Sequence, residues 1–198
     1  MLDLPKSTLF GRIIPKDRIY KNGGANRELQ DLFAKQVQRI RWQNKIAPDT
    51  VNIGAGDTVT EIEVVEVTQT TETIDKRILP LIVKAIPYNL LFALNYNDIT
   101  TYTVCYNDTT YTSASPPRLN GNDLDAVWEN YVRQLAGFAE NGTTLAEQAE
   151  TAEQCEKLVK QIAALEKKAA SEKQPRRKWE LVEKVKQLQQ ELRMFYEQ

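Results

Sequence analysis

The sequence predicts an α+β fold, a mainly antiparallel sheet packed with helices, followed by a C-terminal antiparallel helical hairpin of coiled-coil type. Three observations carry this. Up to about residue 141, runs rich in β-branched and aromatic residues alternate with apolar residues at helical spacing. After Gly142 the composition turns to Ala, Glu, Gln, Lys and Leu, the signature of long helices. That segment carries two seams at heptad spacing: Cys155, Leu158, Ile162, Leu165 and Ala169, then Leu181, Val185, Leu188, Leu192 and Phe195. The expected organisation is a globular domain over 1–142 and a hairpin over 143–198.

Taken in order, residues 1–25 are loop-like, punctuated by Pro5, Pro15 and the pair Gly23-Gly24. Asn26 is placed to cap a helix whose stripe is Leu29, Phe33, Val37 and Ile40, ended by Pro48. Lys35 and Arg39 fall on its opposite face. "TVNI" and "TVTEIEVVEV", joined across Gly54-Ala55-Gly56-Asp57, predict a β-hairpin with Gly56 supplying a positive φ. "TIDKRILPLIVKAI" predicts a helix capped by Thr73, with Ile74, Ile78, Leu81, Ile82 and Ala85 toward the core and a bend at Pro80. "YNLLFALNY" and "TTYTVCY" predict two strands turning at Asn97-Asp98, and "TYTSAS" a short third. Asp123 to Phe138 predicts a helix burying Leu124, Val127, Trp128, Tyr131 and Leu135.

The hairpin explains Pro175. Folding the chain back at residue 173 sets Leu165 against Leu181, Ile162 against Val185, Leu158 against Leu188 and Cys155 against Leu192. Proline breaks the first helix and is harmless in the first turn of the second. Each arm is over ~20 residues, roughly 30 Å. The rival geometry is one kinked helix pairing with a second copy, so both a monomer and a homodimer are open. Lys173, Arg176, Arg177, Lys178 and Trp179 crowd the tip, as a solvated turn or as a partner-binding contact.

Net charge is −1 over 198 residues, which supplies no global attraction to nucleic acid or membrane. The distribution is uneven: +5 over 1–50, −7 over 51–142 and +1 beyond. Such asymmetry marks either a basic face or two parts of one domain attracting each other. Lys35, Arg39, Arg41 and Lys45 are the candidate nucleic-acid contacts, with Trp42 expected to close the core. Two distant cysteines and no recognisable leader point to a reducing, cytoplasmic setting.

There is no histidine, which removes Ser-His and Cys-His pairs and His metal sites. No phosphate loop follows the glycines of "NIGAGD". The best candidate for chemistry is acidic. Glu61 and Glu63 share one face of a strand, with Glu66 out of step, and adjacent carboxylates hold Mg²⁺. A restriction-type nuclease core would also want a lysine two residues after the last acid. Val65 and Thr68 stand at those positions instead, so these glutamates are expected on a solvent face. Cys105 is expected in the core. No cofactor is implied.

"LPKST" at 4–8, "IPK" at 14–16, "QRIRWQNKIAPDTVNI" at 38–53, "EIEVVEV" at 61–67, "KAIPYNLLFAL" at 84–94 and "EKQPRRKWELVEKVKQLQQEL" at 172–192 together carry a resemblance. Over nearly its full length the chain resembles a bacterial domain-of-unknown-function family encoded beside helicases and DNA methyltransferases in restriction-like phage-defence loci. The resemblance implies an accessory subunit of a DNA-acting defence complex, with a helicase or methyltransferase of the same locus as partner. It supplies no catalytic residues. The expected function is a non-enzymatic adaptor docking through the hairpin. The alternative is a nucleic-acid-binding module, and third a Mg²⁺-dependent nuclease using Glu61 and Glu63.

Overall fold

A computed structural model of the chain describes residues 2–139 and 141–196. It divides into two compact units, Met1–Ala139 and Glu140–Gln198.

The first unit is a six-stranded sheet in simple sequence order: β1 (Leu9–Ile13), β2 (Val37–Ile46), β3 (Ile62–Gln69), β4 (Asn89–Tyr96), β5 (Ile99–Tyr106) and β6 (Thr109–Ser113). Every neighbouring pair is antiparallel except β3 and β4, which are parallel. Parallel neighbours need a crossover, and α4 (Ile78–Ala85) supplies it. Three helices, α1 (Lys16–Gly23), α2 (Arg27–Gln36) and α4, share one core with Val65 and Val67 of β3 and Leu90, Phe92 and Leu94 of β4. The helix α5 (Leu124–Ala136) covers β5 and β6 from the other face, where Tyr111 meets Phe138 edge-on at 5.5 Å. A single turn, α3 (Pro48–Val51), follows β2.

The N-terminal stretch expected as loop contains β1 and α1. The Gly23-Gly24 pair ends that helix. Gly24 takes the left-handed conformation of a C-cap, φ 72°. Gly23 lies so close to α4 that a Cβ there would stand 2.5 Å from Leu81 Cδ1.

The largest correction concerns 37–46. Asn26 does cap a helix, accepting from the Leu29 N–H at 2.9 Å. That helix stops at Gln36, and Val37 begins a strand. The misleading cue was the three-residue step from Val37 to Ile40. A β-bulge between Val37 and Arg39 inserts Gln38, so two residues that simple alternation would separate both enter the helix-covered core. Bulging imitates helical spacing here, and pairing with β3 decides the outcome.

The hairpin expected around Gly56 is also replaced, since Pro48–Val51 is helical and β3 pairs with β2. Gly56 serves close packing: a Cβ on it would fall 2.3 Å from Asp125 Cγ. Thr73 does not cap α4, which begins at Ile78 after Arg77. Pro80 is its third residue, where a missing N–H breaks no helical bond, so no bend is needed. Ile78, Leu81, Ile82 and Ala85 are buried as expected. Asn97-Asp98 forms the β4–β5 turn with both φ positive, 45° and 65°. Asn107-Asp108 repeats this before β6, at 47° and 59°. Asp123 caps α5, accepting from the Ala126 N–H at 2.8 Å.

The second unit is an antiparallel pair, α6 (Leu145–Ser171) and α7 (Pro175–Tyr196). Thr144 and Glu147 form a capping box at its start. Pro175 is the first residue of α7, as its chemistry required. Leu158, Ile162, Ala169 and Val185 are buried along the seams. The break between the helices falls at 172–174, and Gln189 donates to Glu166 across the pair at 3.3 Å.

Candidate functional site

The sequence-predicted contacts fall into three places. Lys35 is exposed in the last turn of α2. Arg39 and Arg41 stand on one face of β2, opposite Thr68 and Glu66. A second bulge between Trp42 and Asn44 turns Lys45 to the other face, opposite Glu63. The expected basic helical stripe is therefore dismantled. Lys45 ion-pairs with Glu61 at 3.4 Å and Asp49 at 3.5 Å, and Arg77 pairs with Glu28 at 3.1 Å. Of these pairs, Lys45–Glu61 joins the basic first quarter of the chain to the acidic segment after it.

Glu63 overturns the expectation of a solvent-facing glutamate. It is 1% exposed, with both carboxyl oxygens sealed from solvent. Burial pushes this carboxyl up to about 10; its side-chain hydrogen bond to the Glu61 carboxylate and the charge of Glu61 add to the rise, and Lys45 opposes it. The group is neutral at physiological pH. A neutral carboxyl is a poor ligand for Mg²⁺, which takes charged oxygens. Among the described residues no group of three His, Cys, Asp or Glu side chains could hold a metal ion. Glu66 lies on the opposite face of β3, paired across from Arg41.

Glu63 lines a cavity of about 220 Å³ with Ile14, Ile19, Trp42, Val65 and Ile86. The Trp42 indole stacks on Phe10, centroids 4.3 Å apart, and its Nε1 is buried without a partner. Trp42, expected to close the core, instead lies half-buried on the sheet face, outside the core cluster. Cys105 packs at the edge of the core, and burial pushes its thiol up, which suits an unreactive residue.

In the second unit the tip of the hairpin is open. Lys173, Arg176, Arg177 and Lys178 are exposed, and Trp179 is 65% exposed. Trp179 does not cover the seam. Arg176 reaches Glu180 at 3.5 Å, an exposed pair with little hold on it.

A family model described as a domain of unknown function, DUF4391, matches residues 2–192. The chain belongs to this family. No curated protein and no solved structure matches it. The DUF4391 match spans both units, so the cavity and the hairpin tip are parts of one family domain. Among the described residues of this DUF4391 chain no helix is long and apolar enough to cross a membrane. The cavity is what sequence reasoning missed. Alternation gave no signal for it, because β3 is buried on both faces, at Ile62 and Val64 as well as at Glu63, Val65 and Val67.

Proposed function

We propose that the chain is a non-enzymatic accessory subunit of a bacterial DNA-acting defence complex, docking through the end of its helical hairpin onto a helicase or DNA methyltransferase of the same locus. The observation that carries this reading is Trp179, 65% exposed among four basic side chains at the end of a hairpin. Trp and Arg dominate the energetics of protein interfaces. Leu158, Ile162, Ala169 and Val185 are buried, and Trp179 is more exposed than Val159, Val182 or Met194, the other exposed large apolar side chains described on the pair. The test is the affinity of the purified chain for the helicase and for the methyltransferase of its locus. Trp179→Ala is expected to weaken the complex by about 2 kcal/mol. Undiminished binding by that variant, or no complex with either protein, would remove the reading.

A second reading, contact with nucleic acid, is favoured by the same exposed cations, Lys173, Arg176, Arg177 and Lys178. It requires affinity to fall steeply with salt, by about 0.9 in log K per log salt for each phosphate contacted. Arg39 and Arg41, sharing a strand face, are the second place to substitute. A salt-independent affinity would exclude this reading.

A further inference from the structure

β1 is the outermost strand of the sheet and pairs with β2 on one side only. The free side of such a strand offers backbone N–H and C=O groups to any other chain, and proteins guard it with charge, proline or polar side chains. The opposite edge follows that rule: β6 is the polar run Thr109–Ser113, with Pro116 and Pro117 close behind. β1 does not. Its Leu9 and Ile13 are 62% and 63% exposed. A bulge between Leu9 and Arg12, with Gly11 at a φ of 67°, bends the strand but leaves both side chains in solvent. Leu9 stands opposite Asn44 and Ile13 opposite Arg41, whose partners on β3 are Val64 and Glu66, so the two apolar residues share one sheet face. On that face a groove continues the apolar surface inward from Leu9 to Leu2, Leu4 and Val64. Arg12 stands opposite Trp42 on the other face, its guanidinium 4.4 Å from the Phe10 ring. Arg12 and Arg39 are exposed, so the edge is apolar on one face and bordered by cations.

We propose that the free edge of β1 binds an extended segment of another protein in which apolar residues alternate with Asp or Glu. The segment adds a strand to the sheet, and its backbone takes up the N–H and C=O groups that β1 leaves unpaired. Strand alternation sends its apolar side chains to the face of Leu9 and Ile13 and its carboxylates to the face of Arg12. Arg39 and Arg41, one strand further in, add to the attraction for an acidic segment. A second copy of this chain is the poorer occupant, because it would bring Arg12, Arg39 and Arg41 up against themselves. An edge of five residues makes a small interface, so the complex is weak and transient. The site belongs to the first unit and does not rest on docking at the hairpin tip.

The probe is an acetylated, amidated heptapeptide of alternating Val and Glu, titrated into the full chain and followed by NMR. Three controls run in parallel: the same peptide with Lys for Glu, the same peptide N-methylated at every residue, and a single-stranded DNA oligonucleotide. The expected result is saturable shifts confined to β1 and its neighbours, with slowed amide exchange at residues 9–13. The Lys peptide should bind at least about tenfold more weakly. The N-methylated peptide keeps the side chains but has no N–H to donate, and its binding should be lost. Arg12→Glu should weaken the Glu peptide at least about fivefold and strengthen the Lys peptide. Leu9→Ser combined with Ile13→Ser should cost about tenfold with Tm unchanged, since both side chains stand in solvent in the free chain. The proposal is overturned by no binding of the Glu peptide, by equal binding of the N-methylated one, or by tighter binding of the oligonucleotide. It is also overturned if the chain alone sediments as a dimer that Leu9→Ser and Ile13→Ser dissociate, because a second copy would then be what covers the edge.

Discussion

At the scale of single residues, the informative side chains are those whose environment conflicts with their chemistry. The folded Glu63 carboxyl titrates at about 10 against an ordinary 4.5, so the folded state holds a proton that the unfolded state releases. Its contribution is complete below the unfolded value and is lost as pH rises toward about 10. Stability should therefore fall between about pH 5 and 9, by at most about 1.4 kcal/mol per unit from this group, and Glu63→Gln should flatten the profile in thermal melts. Asp125 is the reverse case. Its carboxylate accepts from the N–H groups of Asp57, Thr58 and Val59 and from the Thr58 hydroxyl, which holds its pKa below the usual range. That contribution is present above the unfolded value and disappears as pH falls through the folded one. Asp125→Asn should lower Tm at neutral pH, release the 56–59 loop in hydrogen exchange, and lose less than the parent on acidification. Tyr131 is fully buried with no partner for its hydroxyl. Tyr131→Phe is expected to stabilise the chain by about 1 kcal/mol, read from denaturant unfolding.

At the scale of elements, β2 shows how tertiary pairing overrides a local pattern. Val37 and Ile40 have helical spacing, and only the bulge at Gln38 places both in the core. A second bulge at Gln43 puts Trp42 and Lys45 on the face that Glu63 occupies, so the cavity and its ion pair depend on two inserted residues. The turns were more legible: Asn97-Asp98 and Asn107-Asp108 both carry the positive φ angles of tight hairpins, in the repeated string Tyr-Asn-Asp. In the hairpin unit, Ile162 and Leu158 are buried on α7. Ile162→Ala should cost about 2–5 kcal/mol of that unit's stability, seen as loss of helical circular dichroism at lower denaturant. Pro175 interrupts what would otherwise be one long amphipathic helix. Pro175→Ala should increase the dimer fraction in light scattering, since a continuous helix satisfies its seam on a second copy.

At the scale of the molecule, the division into two compact units follows the change of composition near Gly142. Asn141, Gly142 and Thr143 are exposed between them, and limited proteolysis should cut there first, giving one fragment from each unit. The sequence by itself determined the fold class, the helical hairpin with its proline start, the caps at Asn26 and Asp123, and the buried faces of α4 and α5. These depend on local chemistry: a capping side chain, a fixed φ, a periodic stripe. What only the tertiary structure decided is the strand identity of 37–46, the parallel neighbour of β3, the partner of each charge and the cavity itself. The physical reason is that pairing across strands and burial are set by residues distant in sequence. A bulge shifts the face of every side chain after it, and a carboxyl is neutral or charged according to what packs around it, not according to its neighbours along the chain.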